Sequence, residues 1–169
     1  MGESREYRIG ASGRKEKNMG ESAAMTIYLD NCCYNRPFDN QLQERIHLES
    51  ETILTILKMG QMNKIVIVGS EILEFEINQM QDENKKRKVL GLYQVVNKRI
   101  LYTEDIKNRS ADIMRISRIR TFDSLHIAAA EAANAEILLT TDDKFEKTAA
   151  NLNLTTRVMN PLKFAWEVI

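Results

Sequence analysis

Four carboxylates occupy positions in the sequence from which they could bind one ligand together, if the chain has an α/β fold: Asp30, Glu76, Asp123 and Asp142. Asp30 directly follows the apolar stretch Thr26–Leu29, and Asp142 follows the apolar stretch 136–140 by two residues. If both stretches are parallel strands, the two aspartates share one edge of the sheet, because ligands bind at the carboxyl ends of such strands. Asp123 falls in the first turn of a predicted helix, where main-chain N–H groups favour negative charge.

Glu76 is favoured over Glu71 and Glu74 by its angle on a predicted helix over residues 71–80. At about 100° per residue, Glu76 points into the middle of the arc formed by the apolar side chains, whereas Glu71 and Glu74 point outside it. A carboxylate on an apolar stripe is costly to bury without compensation. A metal ion would compensate it, and a glutamate that reaches water or pairs with an arginine is the alternative.

Several ionised carboxylates in one place repel each other, and some take up protons unless a cation is present. Mg²⁺ or Mn²⁺ suits this set because hard divalent cations prefer carboxylate and water oxygens. We expect Asp30, Asp123 and Asp142 to bind the metal. Such an ion can contact a phosphodiester oxygen, activate a water and stabilise the leaving oxygen. The four acids together are therefore the candidate catalytic residues.

Other chemistries have weaker support in the sequence. No Ser–His–Asp arrangement is evident. The two histidines, His47 and His126, are far apart, and neither has zinc-ligand spacing to the adjacent Cys32 and Cys33. We expect His126 to pack or hydrogen-bond on its helix rather than to act as a general base.

The length of the chain indicates one domain, and its balanced charges indicate no strong overall electrostatic field. The chain has 169 residues with 24 basic and 24 acidic side chains, so any polyanion binding must come from local charge asymmetry. No apolar run approaches the roughly 20 residues of a membrane span, and we expect a cytoplasmic protein without membrane contact. Residues 1–24 lack apolar periodicity and predict a disordered leader or a start assigned too early; the domain is expected over residues 25–169.

Strand and helix patterns alternate along this domain, which predicts an α/β fold with a central parallel sheet flanked by helices. Strands are predicted over residues 26–29, 64–68, 100–103, 136–140 and 156–159, with a loop over residues 31–40. Helices are predicted over about residues 41–59 and over residues 71–80. A third runs from the charged stretch 82–88 through Val96, and a fourth follows the strand 100–103 and ends at about residue 117. Two more are predicted over residues 122–133 and 143–151. Ser70 and Thr121 are predicted helix N-caps.

Four motifs, in this order, resemble the motif series of PIN-domain nucleases, including the VapC-type toxins of toxin–antitoxin systems. They are Ile27-Tyr-Leu-Asp30, Ser70-Glu-Ile-Leu-Glu-Phe-Glu76-Ile, Phe122-Asp123-Ser-Leu-His-Ile-Ala-Ala-Ala and Leu139-Thr-Thr-Asp142-Asp-Lys-Phe145. The resemblance implies a three-layer PIN fold and Mg²⁺- or Mn²⁺-dependent hydrolysis of RNA at the four acids. It also implies a homodimer and, for a toxin, an antitoxin partner; a housekeeping nuclease is the alternative role.

The last motif of the resemblance places the fourth acid at Asp142 rather than at Asp143. It implies that Thr140 helps to position a ligand water or a carboxylate, and Asp143 would serve as an outer-shell substitute.

Basic residues lie close to these acids along the chain. Residues 107–120 carry five basic side chains against Asp112 alone and lead to Asp123, as a phosphodiester enzyme requires. The RNA-binding candidates are Arg36, Arg115, Arg118 and Arg120, and the alternative is a solvated helix face. The run 85–88 is predicted to be an exposed helix start that could also face RNA or a partner.

Two other classes of protein share parts of this pattern. A degenerate PIN-like module would bind RNA or protein without cutting, and retention of all four acids argues against it. A phosphoacceptor receiver domain needs an acidic pair after its first strand, but here Asp30 is followed by Asn31.

Overall fold

The computed structural model describes residues 24–169, which form a five-stranded sheet and the helices that flank it. The strands are β1 (Thr26–Leu29), β2 (Val66–Ser70), β3 (Lys98–Ile100), β4 (Ile137–Leu139) and β5 (Arg157–Met159). The helices of this region are α1 (Asn31–Asn35), α2 (Glu44–Gln61), α3 (Glu71–Asn78), α4 (Glu83–Tyr93), α5 (Glu104–Ile116), α6 (Thr121–Ala132), α7 (Asp143–Ala149) and α8 (Pro161–Val168). The leader predicted over residues 1–24 lies, apart from Ala24, outside the described residues.

The sheet has the order β3-β2-β1-β4-β5, and every neighbouring pair is parallel. The central strand β1 is buried: Ile27, Tyr28 and Leu29 have no exposed surface. Such near-continuous apolar sequence is typical of parallel strands covered on both faces. Ile27 pairs with Ile67 of β2 and with Ile137 of β4. The predicted three-layer α/β fold is thereby confirmed.

Polar caps start helices directly at the carboxyl ends of strands. The Ser70 hydroxyl accepts a hydrogen bond from the main-chain N–H of Leu73 at 3.0 Å, which confirms the predicted cap of α3. Asp142 caps α7 and accepts from the N–H groups of Lys144 and Phe145 at 3.0 and 3.1 Å. Each such cap contributes about 1 kcal/mol to helix stability. Side chains near these helix starts are therefore held at one edge of the sheet.

Several local predictions were wrong. Strand β2 begins two residues later than predicted, and β3 precedes most of the apolar stretch 100–103. As an edge strand, β3 is determined by its hydrogen bonds to β2, and Leu101 and Tyr102 are left exposed. The predicted loop 31–40 contains α1 and a 3-10 turn over Arg36–Phe38, and α8 was not predicted at all. Thr121 is the first residue of α6 and not its cap.

None of the helices within residues 24–169 is both long enough and apolar enough to span a membrane.

Candidate active site

The four carboxylates singled out from the sequence line one cleft of about 350 Å³: Asp30, Glu76, Asp123 and Asp142. Asp30 follows the end of β1 and Asp142 follows that of β4, so the parallel sheet brings together residues that are 112 positions apart in the chain. The cleft is also lined by polar and charged groups, among them Arg36, Asp39, Lys85, Arg120 and Thr141.

Asp30 is held in one orientation by the neighbouring strand and by the loop after it. Its main-chain N–H donates to the carbonyl of Leu139 at 2.9 Å. Its Oδ2 accepts from the Thr140 hydroxyl at 2.9 Å and from the Cys32 thiol at 3.3 Å. Only 6% of Asp30 is exposed. Thr140 thus contacts a carboxylate of the cleft, which is one of the two contacts that the resemblance implied.

Glu76 is held by a buried chain of hydrogen bonds. His126 Nε2 lies 2.6 Å from Glu76 Oε1, and His126 Nδ1 lies 2.6 Å from the Tyr28 hydroxyl. That hydroxyl is in turn 2.7 Å from Ser70 Oγ. The hydrogen-bonding role expected of His126 is therefore confirmed. Sequence reasoning missed Tyr28 and the link from His126 to Glu76, although His126 lies one helical turn from Asp123 and could have been placed beside the acids.

The imidazole of His126 is fully buried and faces several carboxylates. Burial opposes its positive charge, but the hydrogen bond to Glu76 and the charges of Asp30, Glu76 and Asp123 outweigh burial and raise the pKa of His126 above its usual value. Donor atoms of Asp30, Glu76 and His126 all lie within 4.8 Å of one another. Because both ring nitrogens already have hydrogen-bond partners, we interpret His126 as a support for Glu76.

Arg120 bridges the other two acids. Its Nε donates to Asp123 Oδ2 at 3.3 Å and its Nη2 donates to Asp142 Oδ2 at 3.0 Å. Burial and the charge of Asp30 nevertheless raise the pKa of Asp123 to about 6, against the opposing influence of Arg120 and His126. The negative charge at Asp123 is therefore incompletely balanced by the protein.

A hard divalent cation fits this donor set. Five carboxylates and three cationic side chains line the cleft, which leaves an excess of two negative charges. Carboxylate oxygens are the ligands that Mg²⁺ and Mn²⁺ prefer. A bound ion of charge +2 would relieve the repulsion that raises the pKa of Asp123.

Three neighbouring acids lie outside this cleft. Asp143 is 64% exposed and pairs with both terminal nitrogens of Arg45 at 2.6 and 2.8 Å. The geometry gives no support to the predicted outer-shell role of Asp143. Glu74 pairs with Arg99, and Glu71 accepts from the main-chain N–H of Tyr102. Glu76 therefore lies in the cleft and its two neighbours lie outside it, as their angles on the helix predict.

The basic residues are more dispersed than their sequence positions indicate. Arg115 pairs with Asp112 within α5 at 2.7 Å and does not line the cleft. Arg118 lines a small pocket beside Arg120, Asp123 and Asp142. Arg36 lines the cleft itself. Of the four RNA-binding candidates, the fold brings Arg36, Arg118 and Arg120 to the acids and leaves Arg115 outside.

The family model of the PIN domain matches residues 43–151, which is more than half of the chain. The chain belongs to the PIN domain family. The matched span includes Glu76, Asp123 and Asp142, and Asp30 lies before it. PIN nucleases depend on a divalent metal ion, in agreement with the donor set of this PIN domain.

Solved structures show the same fold. VapBC2 from Rickettsia felis bound to a DNA fragment from its promoter has 16% identity and a TM-score of 0.54, covering 80% of this chain and 98% of that chain. FitAB bound to the IR36 DNA fragment has 19% identity and a TM-score of 0.51, covering 80% and 94%. At such identities the likeness concerns the fold alone. Among curated proteins, no sequence matches this PIN domain.

Proposed function

We propose that this PIN domain is a Mg²⁺-dependent endoribonuclease, with Mn²⁺ as an alternative ion, that hydrolyses phosphodiester bonds of RNA. The observation that carries the proposal is the convergence of Asp30, Glu76, Asp123 and Asp142 on one cleft with an excess of negative charge. A cleft of that charge repels a polyanion unless a cation is bound there, so a metal ion and a phosphodiester substrate fit the same site.

Asp30, Asp123 and Asp142 would hold the ion. When bound, the metal supplies Lewis-acid polarisation of the phosphate and an activated water. The protein prepares this site in advance, because the Thr140 hydroxyl orients the Asp30 carboxylate and main-chain N–H groups of α7 orient Asp142. Preformed carboxylates lose little conformational entropy when they bind an ion.

Glu76 and Arg120 complete the proposed site. The buried His126 holds the Glu76 carboxylate at the wall of the cleft. Arg120 is 76% exposed and lies beside two of the proposed metal ligands. If Asp123 and Asp142 held a metal ion, the Arg120 guanidinium that now pairs with them would be free to contact a phosphate, which it can do with two parallel hydrogen bonds.

The decisive experiment measures cleavage of a circular RNA by the purified full chain. A circle has no ends, so its linearisation requires an endonuclease. We expect cleavage with Mg²⁺ or Mn²⁺, none with EDTA and none by Asp30→Asn. Asp112→Asn is the matched control, because Asp112 pairs with Arg115 on the surface and should leave cleavage unchanged. Equal cleavage by Asp30→Asn would refute the mechanism.

The alternative function is a non-catalytic PIN-like module that binds RNA or protein for regulation. It predicts that the wild-type chain binds RNA in a filter-binding assay but leaves the circular RNA intact at every concentration of Mg²⁺ and Mn²⁺. Asp30→Asn would then bind RNA as tightly as the wild-type chain does.

We propose a cytoplasmic toxin of a type II toxin–antitoxin pair as the biological role. The support is the fold shared with VapBC2 and FitAB, together with the motif series. Expression of the chain alone should arrest growth, and co-expression of the product of an adjacent small gene should relieve the arrest. Growth arrest that no neighbouring gene relieves would favour a housekeeping nuclease.

We also propose a homodimer. The rings of Phe75 and Phe122 stack on each other with centroids 6.0 Å apart, yet they remain 54% and 37% exposed. Covering them with a second copy would remove apolar surface from water. Sedimentation equilibrium should show a dimer for the wild-type chain and a monomer for Phe75→Lys; a wild-type monomer would refute this proposal.

A further inference from the structure

Asp39 bridges two cationic side chains at the wall of the cleft. Its Oδ2 accepts from Arg36 Nη1 at 3.1 Å, and its Oδ1 lies 3.1 Å from Lys85 Nζ. Arg36 and Lys85 come from different elements, the 3-10 turn and α4, and this carboxylate joins them. All three residues line the same cleft as the four acids.

Arg36 is supported from behind by a buried carboxylate. Arg36 Nε lies 3.0 Å from Glu49 Oε1, and Glu49 is fully buried. Asn160 holds the other oxygen of Glu49 with a hydrogen bond of 2.7 Å. Lys85 lies in the first turn of α4, which Asp82 caps. Arg45 Nε also lies 3.0 Å from Glu49 Oε2, and the two arginines together offset the cost of burying the Glu49 carboxylate, so a buried ion pair holds Arg36 in place.

Two cations that one carboxylate bridges can also bind one phosphate. A phosphodiester presents two unesterified oxygens with one negative charge, as Asp39 presents two carboxylate oxygens. Charge-assisted hydrogen bonds from arginine and lysine to phosphate are among the strong ones in proteins. The side chains of Arg36 and Lys85 are 20% and 31% exposed, so part of each remains open to the cleft.

We propose that Arg36 and Lys85 form a subsite for a backbone phosphate of single-stranded RNA, flanking the scissile bond, and that Asp39 occupies this subsite until RNA displaces it. The proposal rests on the proposed ribonuclease function and identifies where its substrate is gripped. Asp39 is then a competitor of the substrate, because its carboxylate must leave the two cations before the phosphate can bind them. Neither Lys85 nor Asp39 contacts Asp30, Asp123 or Asp142 through a hydrogen bond or ion pair of the described residues.

The test measures RNA binding by the full chain, separately from cleavage. Fluorescence anisotropy of a labelled single-stranded RNA, with Mg²⁺ present and with every protein carrying the Asp30→Asn substitution that prevents cleavage, gives the affinity for uncut substrate over a range of salt concentrations. Lys85→Gln should weaken binding about threefold to tenfold and should lower the slope of log K against log salt by about 0.7, the value for one phosphate contact on a single strand. Lys86→Gln is the matched control, since Lys86 is the next residue on the same helix and does not line the cleft.

Asp39→Asn should change binding in the opposite direction. Removing the competing charge should tighten RNA binding a few-fold, and the gain should be smaller in the double variant Asp39→Asn/Lys85→Gln because one of the released cations is then missing. A thermal melt followed by circular dichroism checks that each variant is folded. If Asp39→Asn does not fold, the measurement on Lys85→Gln decides whether the subsite exists.

Equal weakening by Lys85→Gln and Lys86→Gln would overturn the subsite, because it would show an effect of net charge alone. Weaker or unchanged binding by a folded Asp39→Asn would overturn the role of Asp39 as a competitor. If the binding assay gives no evidence of the subsite but the wild-type chain still cleaves circular RNA, the proposed ribonuclease function stands. Conversely, if Lys85→Gln and Asp39→Asn change RNA binding as expected but the wild-type chain never cuts circular RNA, the subsite is supported and the ribonuclease function is refuted.

Discussion

The Nε2 atom of His126 lies 2.6 Å from Glu76 Oε1, a contact between two residues that are 50 positions apart and that belong to α6 and α3. His126 is fully buried, whereas Glu76 is 22% exposed, so the imidazole holds the carboxylate from inside the protein. The chain continues through Tyr28 to Ser70 and joins the cap of α3 to the cleft. A neutral imidazole and an imidazolium both satisfy this chain, with the hydroxyl hydrogens reversed.

Replacing His126 with Phe should destabilise the fold. The substitution removes the partner of Glu76 Oε1 and one of the two side-chain partners of the Tyr28 hydroxyl, which keeps Ser70, and a buried polar group that loses its partner costs about 1–3 kcal/mol. We expect the free energy of unfolding in urea to fall by about 2 kcal/mol. Tyr28→Phe removes one hydroxyl and should cost less. An unchanged urea midpoint for His126→Phe would show that the chain contributes nothing to stability.

The same variant should reveal a pH dependence. Because the pKa of His126 is raised in the folded protein, its protonation stabilises the fold fully below the unfolded value of about 6.5. That contribution is lost as the pH rises through the folded pKa. Urea unfolding of the wild type and of His126→Phe should therefore differ more at pH 6 than at pH 9. A constant difference would indicate that His126 stays neutral throughout.

Asp142→Asn and Asp143→Asn should have different effects on RNA cleavage, although the two acids are adjacent in the chain. Asn caps a helix about as well as Asp, so Asp142→Asn should preserve α7 while it removes a carboxylate from the cleft. We expect cleavage of RNA to fall by at least about a hundredfold in Asp142→Asn, since a metal ligand is lost. Asp143→Asn breaks only the exposed pair with Arg45 and should retain most activity. Similar losses in both variants would contradict the assignment.

Asp123→Asn should stabilise the metal-free protein at neutral pH. The pKa of Asp123 is raised to about 6, so its ionised form destabilises the fold above that pH. The penalty decreases as the pH falls from 6 toward 3.8, the usual value, and vanishes below it. In EDTA we expect a gain of about 1 kcal/mol at pH 7.5, after allowance for solvent screening, and no gain near pH 3.5. Urea unfolding at both pH values measures it.

The control for Asp123→Asn is the same measurement with Mg²⁺. The wild-type chain should gain stability from the bound ion, and Asp123→Asn should gain less because one ligand is missing. If Mg²⁺ stabilises both proteins equally, Asp123 does not bind the metal.

Arg120→Gln should raise the affinity of the site for Mn²⁺ a few-fold, as measured by isothermal titration calorimetry in the absence of RNA. The guanidinium pairs with Asp123 and Asp142 and competes with the ion for their charge. RNA cleavage should fall in the same variant, because a phosphate contact is removed. Arg115→Gln changes the net charge equally but lies outside the cleft, so it should alter neither quantity. A weaker Mn²⁺ affinity for Arg120→Gln would contradict the competition.

The local elements were largely accessible from the sequence. The apolar stretch before Asp30 predicted a buried strand, because parallel strands covered on both faces are nearly continuous apolar runs, and the sheet order shows that this strand is the central one. The angle of Glu76 on its helix predicted that it faces inward, since side-chain direction on a helix follows the 3.6-residue period. Strand β3 and helix α8 were harder, because an edge strand and a short terminal helix depend on neighbours that are distant in the chain.

The sequence by itself determined which acids converge, because Asp30 and Asp142 follow strands, Asp123 lies in the first turn of a helix, and Glu76 points into the apolar arc of its helix. Only the tertiary structure decided what each charged group contacts. Thr140 contacts Asp30 across 110 residues, Arg45 pairs with Asp143 across 98, and Asp39 pairs with Lys85 across 46. Such pairings depend on a few ångströms of packing between elements, and residue type and periodicity do not specify distances of that size.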